Sequence, residues 1–295
     1  MRFQKATRQK AKLRMALTGV SGAGKTLGAL YVAYGITGDW DKIALIDTEH
    51  ERARFYANRD DLKTGAFLWA PLDPPYSPDK YINLINEAAQ AVGPDGVVIV
   101  DSLSHGWKNE GGVLDIKDQI VKNNKGKNDF TAWNDAGRLQ NRLINAILSV
   151  NCHTICTMRS KMEYVIDTNE NGKSTPRKIG LAPVQREDTE YEFDIVLDIA
   201  RNHNATASKD TTFLDVDGYT EKGLILSPSI GEELKKWLDS GIEPVRCEIC
   251  GQVIKAGKGR TVEQIITGTT QEIGKKACLE CYMKEKGVHK GVTSA

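Results

Sequence analysis

One octapeptide, Gly19-Val20-Ser21-Gly22-Ala23-Gly24-Lys25-Thr26, sets the strongest constraint on what this 295-residue chain can become. It satisfies G-x-x-x-x-G-K-[ST], a pattern that needs a strand before it and a helix after it to work. Both are present in sequence. Leu13 to Thr18 is a short apolar segment of strand length, and Thr26 to Gly35 has helical spacing with Gly35 as a stop signal. The glycines let successive backbone N–H groups converge on phosphate oxygens, and the helix dipole at Thr26 adds to the attraction. Lys25 is expected to reach the β- and γ-phosphates of a bound ATP, and Thr26 to ligate Mg²⁺.

Downstream, three more apolar runs of strand length follow: Ile43 to Asp47, Ala66 to Trp69 and Val97 to Asp101. Ser77-Pro78 opens a helix that runs over Tyr81 to Val92, a helix over Trp133 to Ser149 precedes a strand at His153 to Thr157, and strands resume at 192–199 and near 212–216. A short helix at 232–239 closes the domain. Alternating strands and helices with continuous apolar strands predict an α/β fold: a P-loop core with a mostly parallel sheet covered on both faces. Residues 160–190 are polar, with a turn signal at Asn169 to Lys173, and read as a hairpin or a mobile loop.

Asp101 ends an apolar strand and is the natural Walker-B aspartate, although an Asp there can also be a helix cap. Glu49, just beyond the intervening strand, is the candidate general base; the alternative is an exposed acid at a strand end.

No apolar run approaches the ~18–20 residues that span a bilayer, and the first residues lack a signal-peptide apolar region, so a cytoplasmic protein is expected. Lys+Arg 40 against Asp+Glu 39 argues against a uniformly basic nucleic-acid binder. The balance conceals segregation: residues 1–14 carry six basic and no acidic residues, and 246–290 carry nine basic and five acidic. Basic ends thus flank an acidic centre, where a DNA strand or a neighbouring subunit could meet them.

Cys152 and Cys156 sit in an apolar stretch and read as small core residues. Cys247, Cys250, Cys278 and Cys281 form two C-x-x-C pairs separated by 27 residues. Four thiolates suit tetrahedral Zn²⁺, and a short tail with a small core needs such a staple. The spacer exceeds that of common zinc ribbons. The expected division is a core at 1–240, a linker at 241–245 and a four-cysteine zinc module with tail at 246–295.

These elements resemble the RecA-type recombinase core. Leu45-Ile46-Asp47-Thr48-Glu49-His50 is similar to the strand that carries the family's catalytic glutamate, and Val98-Ile99-Val100-Asp101-Ser102-Leu103 to its Walker-B strand. The closer resemblance is to the phage-encoded RecA-like ATPases of the Sak single-strand-annealing group, often described as AAA-family ATPases. It rests on Phe3-Gln4-Lys5-Ala6, Asp73-Pro74-Pro75-Tyr76, Asp101-Ser102-Leu103-Ser104-His105, Thr157-Met158-Arg159-Ser160-Lys161, Gly180-Leu181-Ala182-Pro183-Val184-Gln185-Arg186 and His203-Asn204-Ala205-Thr206. It covers about residues 1–240 and leaves the cysteine tail without a role.

The resemblance implies further roles. Tyr56, seven positions after Glu49, stands where recombinases stack an aromatic ring on adenine, or else is a core tyrosine. Met158 stands where they carry a γ-phosphate-sensing glutamine, and Arg159 is the candidate substitute, or else makes a structural ion pair. Residues 160–183 match a loop that holds single-stranded DNA, with Lys161, Lys173, Arg177 and Lys178 to track phosphates and Tyr164 to stack on bases, unless these side chains are merely solvated. Lys209 resembles a lysine that enters a neighbouring subunit's ATP site, which would place ATP between protomers of a homo-oligomeric ring or filament.

The leading expectation is an ATP-dependent, single-stranded-DNA-binding recombination or annealing protein. A single-strand-binding protein or another phage recombination protein is a further candidate partner. The alternatives are a nucleotide-gated adaptor whose zinc module recruits a protein, and a small-molecule P-loop kinase, for which no substrate lid is evident.

Overall fold

Six consecutive buried residues, Arg14–Gly19, form β1, and β2 (Ile43–Asp47) and β4 (Val97–Asp101) are buried along their whole length as well. Burial on both sides of the pleat is what central strands of a covered parallel sheet require. The computed structural model describes residues 6–123, 126, 128–168, 174–212, 214 and 223–287, and for 162–168 and 174–180 the backbone alone. The remaining strands are β3 (Leu68–Pro71), β5 (His153–Thr168), β6 (Ser174–Pro183), β7 (Ile195–Ile199), β8 (Asn204–Asp210) and β9 (Leu224–Ile225).

The sheet order is β3-β2-β4-β5-β1-β7-β8-β9, with β6 paired to β5 alone. Pairings from β3 to β7 are parallel, and β8 and β9 are antiparallel additions at one edge. β5 lies between β1 and β4, so Gly19 and Asp101 end strands that are not neighbours. A crevice at the carboxyl ends of such strands is where open α/β sheets place ligands.

On one face, Ala16, Ala44, Ile46, Val98 and Val100 pack against α2 (Pro78–Val92) and α5 (Asp129–Ser149) through Tyr81, Ile85, Leu143 and Ile147. Each fully buried large apolar side chain contributes about 1.5–3 kcal/mol. The alternate strand residues point to the other face, where α1 (Lys25–Thr37) packs against β1, β2, β4 and β5. As the sequence predicts, the Ser77 hydroxyl accepts from Lys80 N–H at 3.4 Å and Pro78 begins α2. The buried Arg14 guanidinium donates to the carbonyls of Leu148, Val150 and Cys152 at 3.0, 2.6 and 2.5 Å, closing the carboxyl end of α5.

Several expectations change. Gly35 does not stop α1; the helix continues to Thr37 and ends on Gly38 at φ 64°. Gly35 is small because α6 (Pro228–Asp239) crosses there: a Cβ on Gly35 would lie 1.9 Å from the Pro228 carbonyl oxygen. β7 starts at Ile195, after a 3-10 turn over Thr189–Glu192. Its antiparallel partner is β8, whereas Thr212 lies outside any strand and most of 213–216 lies outside the described residues. Helices α3 (Ser104–Lys108) and α4 (Val113–Asn123) were not expected. The 160–190 segment is a hairpin: β5 runs on past Thr157 and pairs with β6 from Ser160↔Pro183 to Thr168↔Ser174. Residues 169–173, where the sequence signals a turn, fall outside the described residues.

The chain divides into two compact units, one of Lys12–Trp237 and one that joins residues up to Ala11 with Leu238 onward. In the second unit Ile242, within the segment expected as a linker, accepts from Lys10 N–H at 3.0 Å and donates to the Arg8 carbonyl at 2.9 Å. That unit also contains α7 (Val262–Ile273) and α8 (Leu279–Glu285), and Ile254, Ile265 and Ala277 form a small core with Cys247 and Cys281. α7 occupies the long cysteine spacer and opens with a capping box between Thr261 and Gln264.

Candidate active site

The loop after β1 begins at Gly19 and ends at Gly24, which caps α1 in the left-handed conformation, φ 93°, with no side-chain cap. The first N–H groups of α1 are therefore left for a ligand. The space where a Gly24 Cβ would stand is also confined by His203, whose Nδ1 would be 3.1 Å away. The His203 ring donates from Nδ1 to the Ala23 carbonyl at 3.0 Å, bracing the loop from the β7–β8 turn.

Lys25 Nζ donates to the carbonyls of Gly19 and Val20, each at 2.9 Å. Burial lowers its pKa, against the opposing pull of Asp101 and Glu49, while Arg159 adds to the lowering. An ammonium so desolvated gains from a phosphate. Thr26 Oγ1 donates to Asp101 Oδ2 at 2.6 Å, and Thr157 Oγ1 donates to Oδ1. Burial raises the Asp101 pKa, the two hydroxyls oppose this, and Glu49 and Asp47 raise it further. A buried carboxylate whose direct partners are hydroxyls is suited to a divalent cation, so Thr26 and Asp101 fit the Mg²⁺ that accompanies a nucleotide.

Asp47 shapes the approach to Glu49. Its carboxylate accepts from the N–H groups of Glu49 at 2.6 Å and Ala53 at 3.0 Å and from the Trp69 indole at 3.2 Å. Arg159, at the end of the parallel part of β5, then grips Glu49 with two N–H groups, Nε to Oε1 at 2.8 Å and Nη2 to Oε2. Burial pushes the Glu49 pKa up, but the Arg159 hydrogen bonds and charge, with His105 and Lys25, pull it below the ordinary value. Glu49 is thus held as an ionised carboxylate within electrostatic reach of Lys25 and Asp101.

The decisive comparison is with known families: the sequence profile described as "AAA domain" matches residues 11–229. The chain belongs to that family. No curated protein matches it. The AAA domain match includes every strand among the described residues, and Lys25, Thr26, Glu49, Asp101 and Arg159 all fall within it.

In this AAA domain Tyr56 is half-buried in the turn Arg52–Tyr56, and burial together with the Asp101 charge raises its hydroxyl pKa. Lys209 Nζ donates to the Tyr191 carbonyl of its own chain at 2.5 Å. Lys161 is exposed at the root of the hairpin; Tyr164 pairs with Lys178 and Val165 with Arg177 in backbone register, and Lys173 lies outside the described residues. The loop residues Val20, Ser21, Gly22 and Ala23 complete the turn, with Ala23 N–H donating to the Val20 carbonyl at 3.3 Å.

Sequence reasoning missed Asp47, Thr48, His105, Thr157 and His203 as parts of the site. All five lie inside segments that carry the resemblance, but no spacing rule tells which of their side chains turn inward.

In the second unit the sulfurs of Cys247, Cys250, Cys278 and Cys281 lie within 4.8 Å of one another, Cys250 and Cys278 at 3.9 Å. Tetrahedral zinc with Zn–S near 2.3 Å needs sulfurs about 3.8 Å apart. Against its burial, the Cys247 thiol is lowered to about 6 by the N–H groups of Cys278, Cys250 and Ile249. That surrounding favours thiolate at Cys247, whereas Cys250, against its Gln252 N–H, and Cys281 are raised by desolvation and the crowding of neighbouring sulfurs, and the four-sulfur donor set fits Zn²⁺.

No helix among the described residues is long and apolar enough to cross a membrane.

Proposed function

We propose that this AAA-family domain binds and hydrolyses Mg·ATP and couples hydrolysis to single-stranded DNA, as a recombination or annealing protein of a phage or prophage acting in the host cytoplasm as a homo-oligomer. The observation that carries the proposal is the ion pair of Glu49 with Arg159, which lies on the strand β5 that continues into the β5–β6 hairpin. One element thereby holds the candidate base and leads to the segment proposed to meet DNA.

The steps follow from the residues. Backbone N–H groups of 22–26 receive the phosphates, and Lys25 turns from the Gly19 and Val20 carbonyls to the β- and γ-phosphates. Thr26 and Asp101 would hold Mg²⁺, which neutralises phosphate charge when bound. The γ-phosphate competes with Glu49 for Arg159; the released carboxylate then takes a proton from the attacking water. Tyr56 is proposed to face the base and Lys209 to act on a neighbouring protomer. Lys161, Tyr164, Lys173, Arg177 and Lys178 are proposed to follow the DNA strand, with the four-cysteine module, holding Zn²⁺, as a docking or structural appendage.

The test is the ATPase rate without DNA, with single strands and with duplex. Stimulation by single strands, with binding that weakens steeply as salt rises, is expected. Turnover indifferent to DNA, with no binding at low salt, refutes the DNA part of the proposal.

A further inference from the structure

His105 stands directly behind the candidate base and has no part in the steps above. It is on α3, 4% exposed, with its ring 5.0 Å from the Tyr76 ring. Its Nδ1 is 2.5 Å from Thr48 Oγ1, and its Nε2 is 4.0 Å from Glu49 Oε1. Thr48, itself 1% exposed, precedes Glu49 in the chain.

The carboxylate facing Nε2 favours one of the two ring tautomers that the Thr48 hydrogen bond allows. Thr48 Oγ1 accepts from Ser102 N–H at 2.8 Å and has one proton to give, and Nδ1 at 2.5 Å is a nearer taker than the Ser102 carbonyl at 3.3 Å. If the proton goes to Nδ1, the neutral ring carries N–H at Nε2 and points it at Glu49. In the opposite tautomer a bare Nε2 lone pair would face a carboxylate, which is repulsive. Burial and the Arg159 charge lower the ring's pKa against the opposing pull of Glu49, which favours the neutral ring.

We propose that His105 is the positioning residue for Glu49: its Nε2–H takes Oε1 when Arg159 leaves, so that Oε2 alone is free and aimed at the attacking water. The reading rests on Glu49 as the general base. Without this second holder, a carboxylate released by Arg159 would swing through several rotamers, and a misplacement near 1 Å costs about 100-fold in rate. Ser102 Oγ, 3.5 Å from the same Oε1, supports the same oxygen more weakly.

The test compares full-length His105→Gln and His105→Asn with the unaltered protein, in Mg·ATP hydrolysis and in nucleotide binding. A glutamine amide reaches as far from the backbone as Nε2; an asparagine amide reaches only as far as Nδ1. His105→Asn is expected to keep the Thr48 contact and ATP affinity yet lose about 10–100-fold in kcat, while His105→Gln stays within about 3-fold. Equal rates for the two variants, or a raised KM with unchanged kcat, overturn the proposal. Nitrogen-15 correlation spectra of the unaltered protein add a readout that needs no substitution: the Nε2–H tautomer is expected, and an Nδ1–H tautomer overturns it. Glu49→Gln separates the layers, because normal hydrolysis in that variant removes the general-base reading itself, whatever the His105 variants do.

Discussion

Replacing Gly35 by alanine opposes two effects of known size. Alanine at a helix interior gains about 1 kcal/mol over glycine from backbone entropy. At Gly35, however, the new Cβ would lie 1.9 Å from the Pro228 carbonyl oxygen and 2.8 Å from Gly231 Cα, where real Cβ contacts stay above 3.0 Å. The obstacles are backbone atoms, so no rotamer change relieves them and α1 must move away from α6. Overpacking of this kind costs about 1–3 kcal/mol, and a rigid backbone clash belongs at or beyond the upper end. The net expectation is a loss of about 2 kcal/mol, equivalent to a melting temperature lower by about 4–8 °C for a unit of this size. Because α1 carries Lys25 and Thr26, ATP affinity should fall as well. Gly268 is the control: it lies inside α7 with nothing within 4 Å of its would-be Cβ, so alanine there should stabilise its own unit by about 1 kcal/mol. Melting followed by circular dichroism reads both. A Gly35→Ala protein at least as stable as the original would refute the close-crossing argument.

Other consequences follow from the two sites. Arg159→Ala leaves Glu49 with burial and without its main counter-charge, so the carboxyl pKa should rise and the acid limb of the kcat/KM profile should move to higher pH; an unmoved limb means that Arg159 does not govern Glu49. For folding the sign is the usual one for a depressed acid. The pair stabilises above the ordinary carboxyl value of 4.5 and is lost as pH falls through the lower folded value, by less than about 1 kcal/mol because Arg159 is 44% exposed. Chelation should release about one zinc per chain and unfold the four-cysteine unit while leaving the 12–237 unit folded, as read by metal analysis and limited proteolysis. Thr26→Ala should raise the Mg²⁺ concentration needed for half-maximal turnover; an unchanged requirement would remove Thr26 from the metal site.

The nucleotide loop was legible because its chemistry is local. Gly19 to Thr26 needs only backbone N–H groups, one lysine and one hydroxyl within eight residues. Asp101 was legible because an apolar run announces a strand and its last residue faces the strand-end crevice. Gly35 was misread because a glycine at a helix end and a glycine at a helix crossing look alike until the partner helix, about 190 residues later in sequence, is known. The Thr48–His105–Glu49 cluster was invisible for a related reason: residues at 48, 49 and 105 meet only after β2 and β4 pair in register, Asp47 opposite Asp101. α4 and α7 do carry an apolar stripe at helical spacing, Val262, Ile265, Ile266 and Ile273 in α7, so both were within reach of the sequence pattern.

The account stands most directly on Glu49. Glu49→Gln keeps one acceptor for Arg159 Nε and removes the proton-accepting charge, so ATP binding should persist while phosphate release falls by about 10²–10⁴-fold. Lys25→Ala, measured beside it, should lose ATP binding itself. A Glu49→Gln protein that releases phosphate within a few-fold of the original rate would contradict the catalytic assignment on which the proposed function depends.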